Sequence, residues 1–462
     1  MNMNIFYICF KYFIKVRLSW VLVLLFILVS WPLKASELTA NSQDQSICKA
    51  DLKAKIDEIL NTEELKRSHW GIIVKTLDNK TILYDLNSHK YFIPASNVKL
   101  FTTAAVLVKF GSNVQIKTPI YAQGTSPHLS LLKVVGKGDP TLSSEQLEKV
   151  AKTLKVQGIK RIDNLVVEDN SLNSQPINLT WEWEDIQFYY ATAVNRLILN
   201  ENAVILTLIP QQIGEKLQLK WSDNIAAQQW KINNQTLTDQ ENTSYSVSIN
   251  RDFEEPLLTI TGSLAIDSNP DIFGMAVVNP GEYFLNSLKF YLEKEGIEIT
   301  KSQVDYGENK IDNIDKITEI QSPLLKEIIT KANQESNNLY AESLLNLLVD
   351  DTSENGAIDH LKENLNKLGL EPNLYHLKDG SGLSRHNLVT PEALANLLVL
   401  MMQIPEGNVY RDSLAVGGIN GTLETRFKDT IIQGKVQAKT GTLSGTSSLS
   451  GYIAPSNYSP LA

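Results

Sequence analysis

Cysteine is almost missing from these 462 residues: only Cys9 and Cys48 occur, so no intramolecular disulfide framework supports a fold once the first is set aside in a targeting segment. The six histidines and the two cysteines show no metal-ligand spacing, and no metal or cofactor is implied. A basic excess is missing too. Asp and Glu (52) outnumber Lys and Arg (43), which speaks against nucleic acid or anionic lipid as the main partner. Low-complexity segments and tandem repeats are absent, and 43% hydrophobic with 21% charged residues describes an ordinary globular chain, long enough for about three domains.

One long apolar run is present. Lys11, Lys15 and Arg17 precede Leu18 to Leu33, a pattern that reads as an export signal over residues 1–35. Ala35 suits the last residue of the signal, whereas Leu33 sits where a small residue is preferred. An uncleaved N-terminal anchor is the alternative and would be the only membrane contact. The expected location is therefore extracytoplasmic, in the periplasm or cell envelope.

Three short motifs follow in order: Ser96-Asn97-Val98-Lys99, Ser336-Asn337-Asn338 and Lys439-Thr440-Gly441. Ser-x-x-Lys on a helix puts a hydroxyl and an amine on one face, a turn apart. The amine can act as the hydroxyl's base when a dry site or a neighbouring cation, such as Lys439, lowers its pKa. A Ser-x-Asn bend between helices aims a hydroxyl and an amide into a cleft. Lys-Thr-Gly on a strand offers an ammonium, a hydroxyl and an open backbone edge to an extended peptide ending in a carboxylate.

Each motif has decoys. Ser46-Ile47-Cys48-Lys49 is a second Ser-x-x-Lys, in polar sequence. Ser222-Asp223-Asn224 is a literal Ser-Asp-Asn, and Ser171, Ser248 and Ser353 begin looser matches. Context separates them: Ser96 opens an apolar helix carrying Val98, Phe101, Ala105 and Val108 directly after a predicted strand. Ser336 lies between two helical stretches, and Ser222 lies in β-rich sequence.

Along the chain, 52–65 reads as helix and HWGIIVKTLDNKTILYDLN as two strands around Asp78-Asn79. From about Thr118 to Asp271 short strands alternate with Gly, Asn, Asp and Pro. Helical texture returns from Tyr283, and strands resume at KVQAKTG. The simplest organisation is an α/β domain, residues 52–117 and 280–462, split by a mostly β insertion over 118–279.

Together the motifs resemble the signature set of the penicillin-binding proteins and serine β-lactamases. The 240-residue separation of the first two, with GKGDPTL (Gly136–Leu142), Trp181–Asn202, Lys378–Leu394 and Gly418–Phe427, is similar to the class C low-molecular-mass D-Ala-D-Ala carboxypeptidases/endopeptidases, the S13 peptidases. The resemblance implies an α/β (α+β) transpeptidase-type domain and a penicillin-inhibited serine hydrolase acting on peptidoglycan stem peptides. It implies Ser96 as acylated nucleophile, Lys99 as general base and Ser336 as proton relay to the leaving amine. Asn338 would bind the substrate amide, and Lys439 and Thr440 the terminal carboxylate. Gly441 would allow close approach, and the N–H groups of Ser96 and Thr442 would form an oxyanion hole. The chain departs from the pattern at Asn337, where Asp is common. It also stops at Ala462, where relatives continue past Ser450-Gly451-Tyr452 with a strand and a helix; both are expected to be missing. The alternatives are a β-lactamase or esterase on the same scaffold, against which no obvious deacylating glutamate is found, and a catalytically impaired wall-binding homologue.

Overall fold

A computed structural model describes residues 49–170, 177–252, 254–307, 314–349, 356–456 and 458–462. The signal segment, Ser46 to Cys48, and the Ser171 and Ser353 decoys lie outside them. Among the described residues no helix is long and apolar enough to cross a membrane.

The chain begins with α1 (Lys49–Leu60) and the antiparallel hairpin β1 (Ile72–Lys75) and β2 (Ile82–Leu86). A 3-10 turn, Ala95–Asn97, leads into α2 (Val98–Phe110), which Gly111 stops in a left-handed conformation (φ 71). The sequence predicts one apolar face for α2. In fact every residue from Val98 to Leu107 is buried, since helices surround it on all sides.

The chain then leaves this region. β3 (Gln115–Thr125), β4 (His128–Val135), α3 (Ser144–Val156) and β5 (Arg161–Glu168) follow, and Ser143 with Gln146 forms a capping box on α3. β6 (Ala203–Ile209), β7 (Gln218–Trp221), α4 (Asn224–Ala227), β8 (Lys231–Asp239), β9 (Ser248–Arg251), β10 (Leu257–Ala265) and β11 (Asp271–Ala276) come next. α5 (Pro280–Lys294) starts at Asn279, whose side chain accepts from Glu282 N–H with Pro280 in the first turn. β12 (Glu298–Asp305) and β13 (Asp315–Leu324) complete the excursion.

β12-β5-β4-β3-β13 form one mixed sheet, while β8-β10-β9 and β11-β6-β7 form two smaller ones. Their apolar faces share one core with α3 and α5, including Leu132, Leu165, Leu206, Ile260, Phe284 and Leu288. The sequence-based boundary at residue 280 falls inside this core. The Tyr283, Phe284, Leu288 and Leu292 face of α5 is buried against insertion residues, so the return to the first region comes at Leu325.

α6 (Leu325–Gln334), α7 (Asn338–Leu347), α8 (Ala357–Leu368), the two-residue ribbon β14 (Tyr375–His376) and β15 (Leu388–Val389), α9 (Pro391–Met401) and α10 (Gly407–Asp412) pack around α2 in a second core. β16 (Ala415–Val416), β17 (Val436–Leu443) and β18 (Thr446–Ile453) form an antiparallel sheet. Leu461 and Ala462 lie between β18 and β1. Leu461 bridges Ile453 of β18 and Thr76 beyond β1, and Ala462 exchanges two 2.8 Å hydrogen bonds with Lys75. These residues join the two sheets edge to edge, so backbone groups that would otherwise stand unpaired are satisfied. The architecture is one of mixed helix and sheet.

Candidate active site

Three elements from distant parts of the chain meet where α2 begins. Ala95 is held left-handed (φ 47) and fully buried, which turns the half-buried Ser96 outward at the foot of α2. Lys99, one turn further, is completely buried. Its Nζ donates to Ser96 Oγ (3.0 Å), Asn338 Oδ1 (2.7 Å) and the Ser381 carbonyl (2.6 Å). Burial disfavours the ammonium and pulls Lys99 down to about 7, against the opposing charges of Asp379 and Glu342.

The bend between α6 and α7 carries the second motif. Ser336 is left-handed (φ 58), and Asn337 caps α7 by accepting from Tyr340 N–H at 3.1 Å. Asn338 opens the helix; its Oδ1 accepts from Lys99, and its Nδ2 donates to the Tyr190 carbonyl (2.7 Å). Lys439 Nζ, on β17, donates to Ser336 Oγ (2.8 Å) and the Thr440 carbonyl (2.7 Å). Burial and the nearby charge of Lys99 hold Lys439 well below an ordinary lysine.

β17 runs against the turn that carries Ser96. A Cβ on Gly441 would stand 2.7 Å from the Pro94 carbonyl and 3.0 Å from Ser96 N, so glycine is required for this approach. Ser448 Oγ donates to the Pro94 carbonyl (2.6 Å), and Asn97 Nδ2 to Ser450 Oγ (3.1 Å), locking the turn to the sheet. Thr440 Oγ1 donates to Thr422 Oγ1 (2.7 Å), and Thr442 is exposed. All eight sequence-predicted site residues, Ser96, Lys99, Ser336, Asn338, Lys439, Thr440, Gly441 and Thr442, therefore belong to one hydrogen-bonded cluster or to the strand β17 that runs against it.

A fourth element lies in the Lys378–Leu394 stretch that carries the family resemblance, though the sequence assigns none of its residues a role. The loop from Lys378 to Ser384 delivers the Ser381 carbonyl to Lys99, and two buried carboxylates hold it. Glu342 Oε1 accepts from the N–H groups of Gly380 (2.9 Å) and Ser381 (2.8 Å). Asp379 accepts from Gly382 N–H (2.8 Å), Ser384 N–H (2.7 Å), Asn387 Nδ2 (2.8 Å) and Trp181 Nε1 (2.9 Å). Burial and the Asp379 charge raise Glu342 to about 8. The sequence cues to this arrangement are the four-residue spacing of Asn338 and Glu342 on one helical face and the Lys378–Leu394 and Trp181–Asn202 stretches of family resemblance.

The described decoys have other work. Ser222 Oγ accepts from Ile205 N–H. Asp223 caps α4 through the N–H groups of Ile225 and Ala226 and accepts from Tyr283 OH, far from Ser96 in the chain's other core. Ser248 accepts from Asn250 on β9.

A serine at the foot of a buried helix, with an amine from the next turn on its oxygen, belongs to the serine acyl-transferring enzymes of the penicillin-binding type. Within that class the chain belongs to the D-Ala-D-Ala carboxypeptidase 3 (S13) family, whose model matches residues 52–462, and it is a serine peptidase of that family. It is 30% identical over 425 residues to a D-alanyl-D-alanine carboxypeptidase of Actinomadura sp. (strain R39), covering 87% of this chain and 78% of that one. It is 29% identical to the penicillin-sensitive carboxypeptidase A of Dictyostelium discoideum, over 88% of this chain and 85% of that one. Its fold matches the crystal structure of penicillin binding protein 4 from Haemophilus influenzae with a TM-score of 0.75, at 24% identity, over 85% of this chain and 88% of that one.

Proposed function

We propose that the protein is an exported D-Ala-D-Ala carboxypeptidase/endopeptidase that acts on peptidoglycan stem peptides through an acyl-enzyme on Ser96, and that penicillin acylates the same oxygen. As the neutral amine, Lys99 keeps its two N–H bonds to Asn338 Oδ1 and the Ser381 carbonyl, turns its lone pair to the Ser96 hydroxyl and takes that proton as Oγ attacks the carbonyl carbon of the penultimate D-Ala. The N–H groups of Ser96 and Thr442 receive the developing oxyanion, each such donor being worth about 3 kcal/mol. The C–N bond breaks as the Ser336 hydroxyl gives its proton to the leaving amine and takes one back from Lys439 Nζ, which donates to it at 2.8 Å. Water then hydrolyses the ester, and its proton with the one held on Lys99 restores Lys439 and Ser96, leaving both lysines in their starting states. Asn338 holds the substrate amide beside β17, while Lys439 and Thr440 hold the terminal carboxylate. Export is supported by the basic flank and the Leu18 to Leu33 run, and the wall substrate by the family's activity.

The 3.0 Å contact to Ser96 Oγ from a fully buried Lys99, pulled down to about 7 so that a sizeable share is neutral at pH 7, carries this reading. The test is mass spectrometry after exposure to a labelled penicillin, alongside release of D-Ala from a D-Ala-D-Ala peptide. One adduct on the Ser96 peptide, lost with D-Ala release in Ser96→Ala, is expected. An adduct on a peptide without Ser96 would overturn the assignment.

A further inference from the structure

Glu201 reaches the second motif from outside the catalytic core, and nothing in the mechanism above uses it. It stands between Asn200 and Asn202, and all three are left-handed (φ 48, 60 and 48), a backbone that L-residues avoid in succession. Side chains hold this strained turn. Asn200 accepts from Ser144 N–H (3.0 Å) and donates to Ser144 Oγ (2.8 Å) and Tyr283 OH (2.7 Å). Asn202 accepts from Leu199 N–H (3.1 Å) and donates to the Ala193 carbonyl (3.0 Å) and Asn195 Oδ1 (2.9 Å).

The turn aims the Glu201 carboxylate, 12% exposed, at the bend between α6 and α7. Oε1 accepts from Lys331 Nζ on α6 (2.5 Å), and Oε2 accepts from Asn337 Nδ2 at the cap of α7 (2.7 Å). Ser336, left-handed itself, is the residue before that cap. One carboxylate from the insertion thus ties both helices that set the position of the Ser336 hydroxyl.

We propose that Glu201 is a positioning residue for Ser336, and that Asn rather than Asp stands at 337 because Glu201 faces it. The proposal rests on the reading of Ser336 as the proton relay. Asn337 Oδ1 is committed to Tyr340 N–H, so only its NH2 group can face residue 201. Asp at 337 would cap α7 as well as Asn does. It would, however, set two carboxylates at hydrogen-bonding distance with the Lys331 ammonium as the nearby cation, and Glu335 already lies 4.0 Å from that ammonium. Gln at 201 fails for the complementary reason. Lys331 and Asn337 reach different oxygens of Glu201, so in Gln one of the two donors would meet the NH2 group. Combining Asn337→Asp with Glu201→Gln restores both the hydrogen-bond sense and the net charge.

The test is the rate of Ser96 acylation by labelled penicillin, with melting temperature, in wild type, Asn337→Asp, Glu201→Gln, the double variant and Ser336→Ala. Asn337→Asp is expected to acylate ~10–100-fold more slowly and Glu201→Gln ~3–10-fold more slowly, the span of coupling between groups in contact. The double variant is expected to recover to within ~3-fold of wild type. A double variant no faster than Asn337→Asp, or Asn337→Asp at the wild-type rate, overturns the role of Glu201 while a slow Ser336→Ala leaves the relay standing. Ser336→Ala at the wild-type rate removes the relay and overturns the proposal on that separate ground.

Discussion

Gly382→Ala isolates the contact that places Ser96, the proposed nucleophile. Gly382 is left-handed (φ +84), and a Cβ there would stand 1.9 Å from the Ala95 carbonyl oxygen, 2.5 Å from its carbon and 3.0 Å from Ser96 N. The opposing atoms are backbone. Ala95 is fully buried and already left-handed, so it has no side chain to swing aside. Relieving the overlap requires the Ala95–Ser96 peptide or the Lys378–Ser384 loop to move by about 1 Å, and misplacement on that scale costs a reaction about 10²-fold. Left-handed strain adds about 1–2 kcal/mol to the destabilisation. Gly214→Ala separates the two effects, because Gly214 has φ +88 with no heavy atom within 4 Å of its Cβ position. It should lose stability through strain alone and acylate normally. Rates of penicillin labelling and melting temperatures of the two variants decide the matter. Gly382→Ala labelling at the rate of Gly214→Ala would refute the view that this contact seats Ser96.

Two further outcomes are expected. With Lys99 near 7 and its neutral form the base, the acylation rate should climb ~10-fold from pH 6 to pH 8 as the proton is lost, and a flat profile would remove Lys99 from that role. Trp181→Phe takes one donor from the buried Asp379 carboxylate, which should cost about 1.5–3 kcal/mol and lower the melting temperature; an unchanged melting temperature would show that the 2.9 Å bond contributes nothing.

What the sequence discloses about this site follows the chemistry of its parts. Ser96 with Lys99, Ser336 with Asn338, and the Lys439 strand are readable because each pair acts through fixed short spacing on a helix or strand. Asp223 shows the limit of that reading: a literal Ser-Asp-Asn is a helix cap, and only its setting in β-rich sequence separated it from Ser336. The sequence groups α5 with the later helices because it is amphipathic in the same way as they are, and periodicity does not say which sheet a helix covers. Asp379, Glu342 and Glu201 were not singled out, since their roles arise from long-range hydrogen bonds. Glu342 is 38 residues from Gly380, and Glu201 is 136 from Asn337.

Those long-range bonds give the insertion a part in the chemistry. The segment from Trp181 to Asn202 grips three separate pieces of the cleft: Trp181 holds Asp379, the Tyr190 carbonyl holds Asn338, and Glu201 holds Asn337. Each grip lies one residue or one hydrogen bond away from a group that touches Lys99 or Ser336. A lysine stays near neutrality only while water is kept from it, and Lys99 is fully buried with its three polar partners supplied by α2, α7 and the Lys378–Ser384 loop. Two of those three partners are held in turn by the inserted segment. The groups that surround Lys99 are therefore braced from both parts of the chain, through Trp181 on Asp379 and the Tyr190 carbonyl on Asn338.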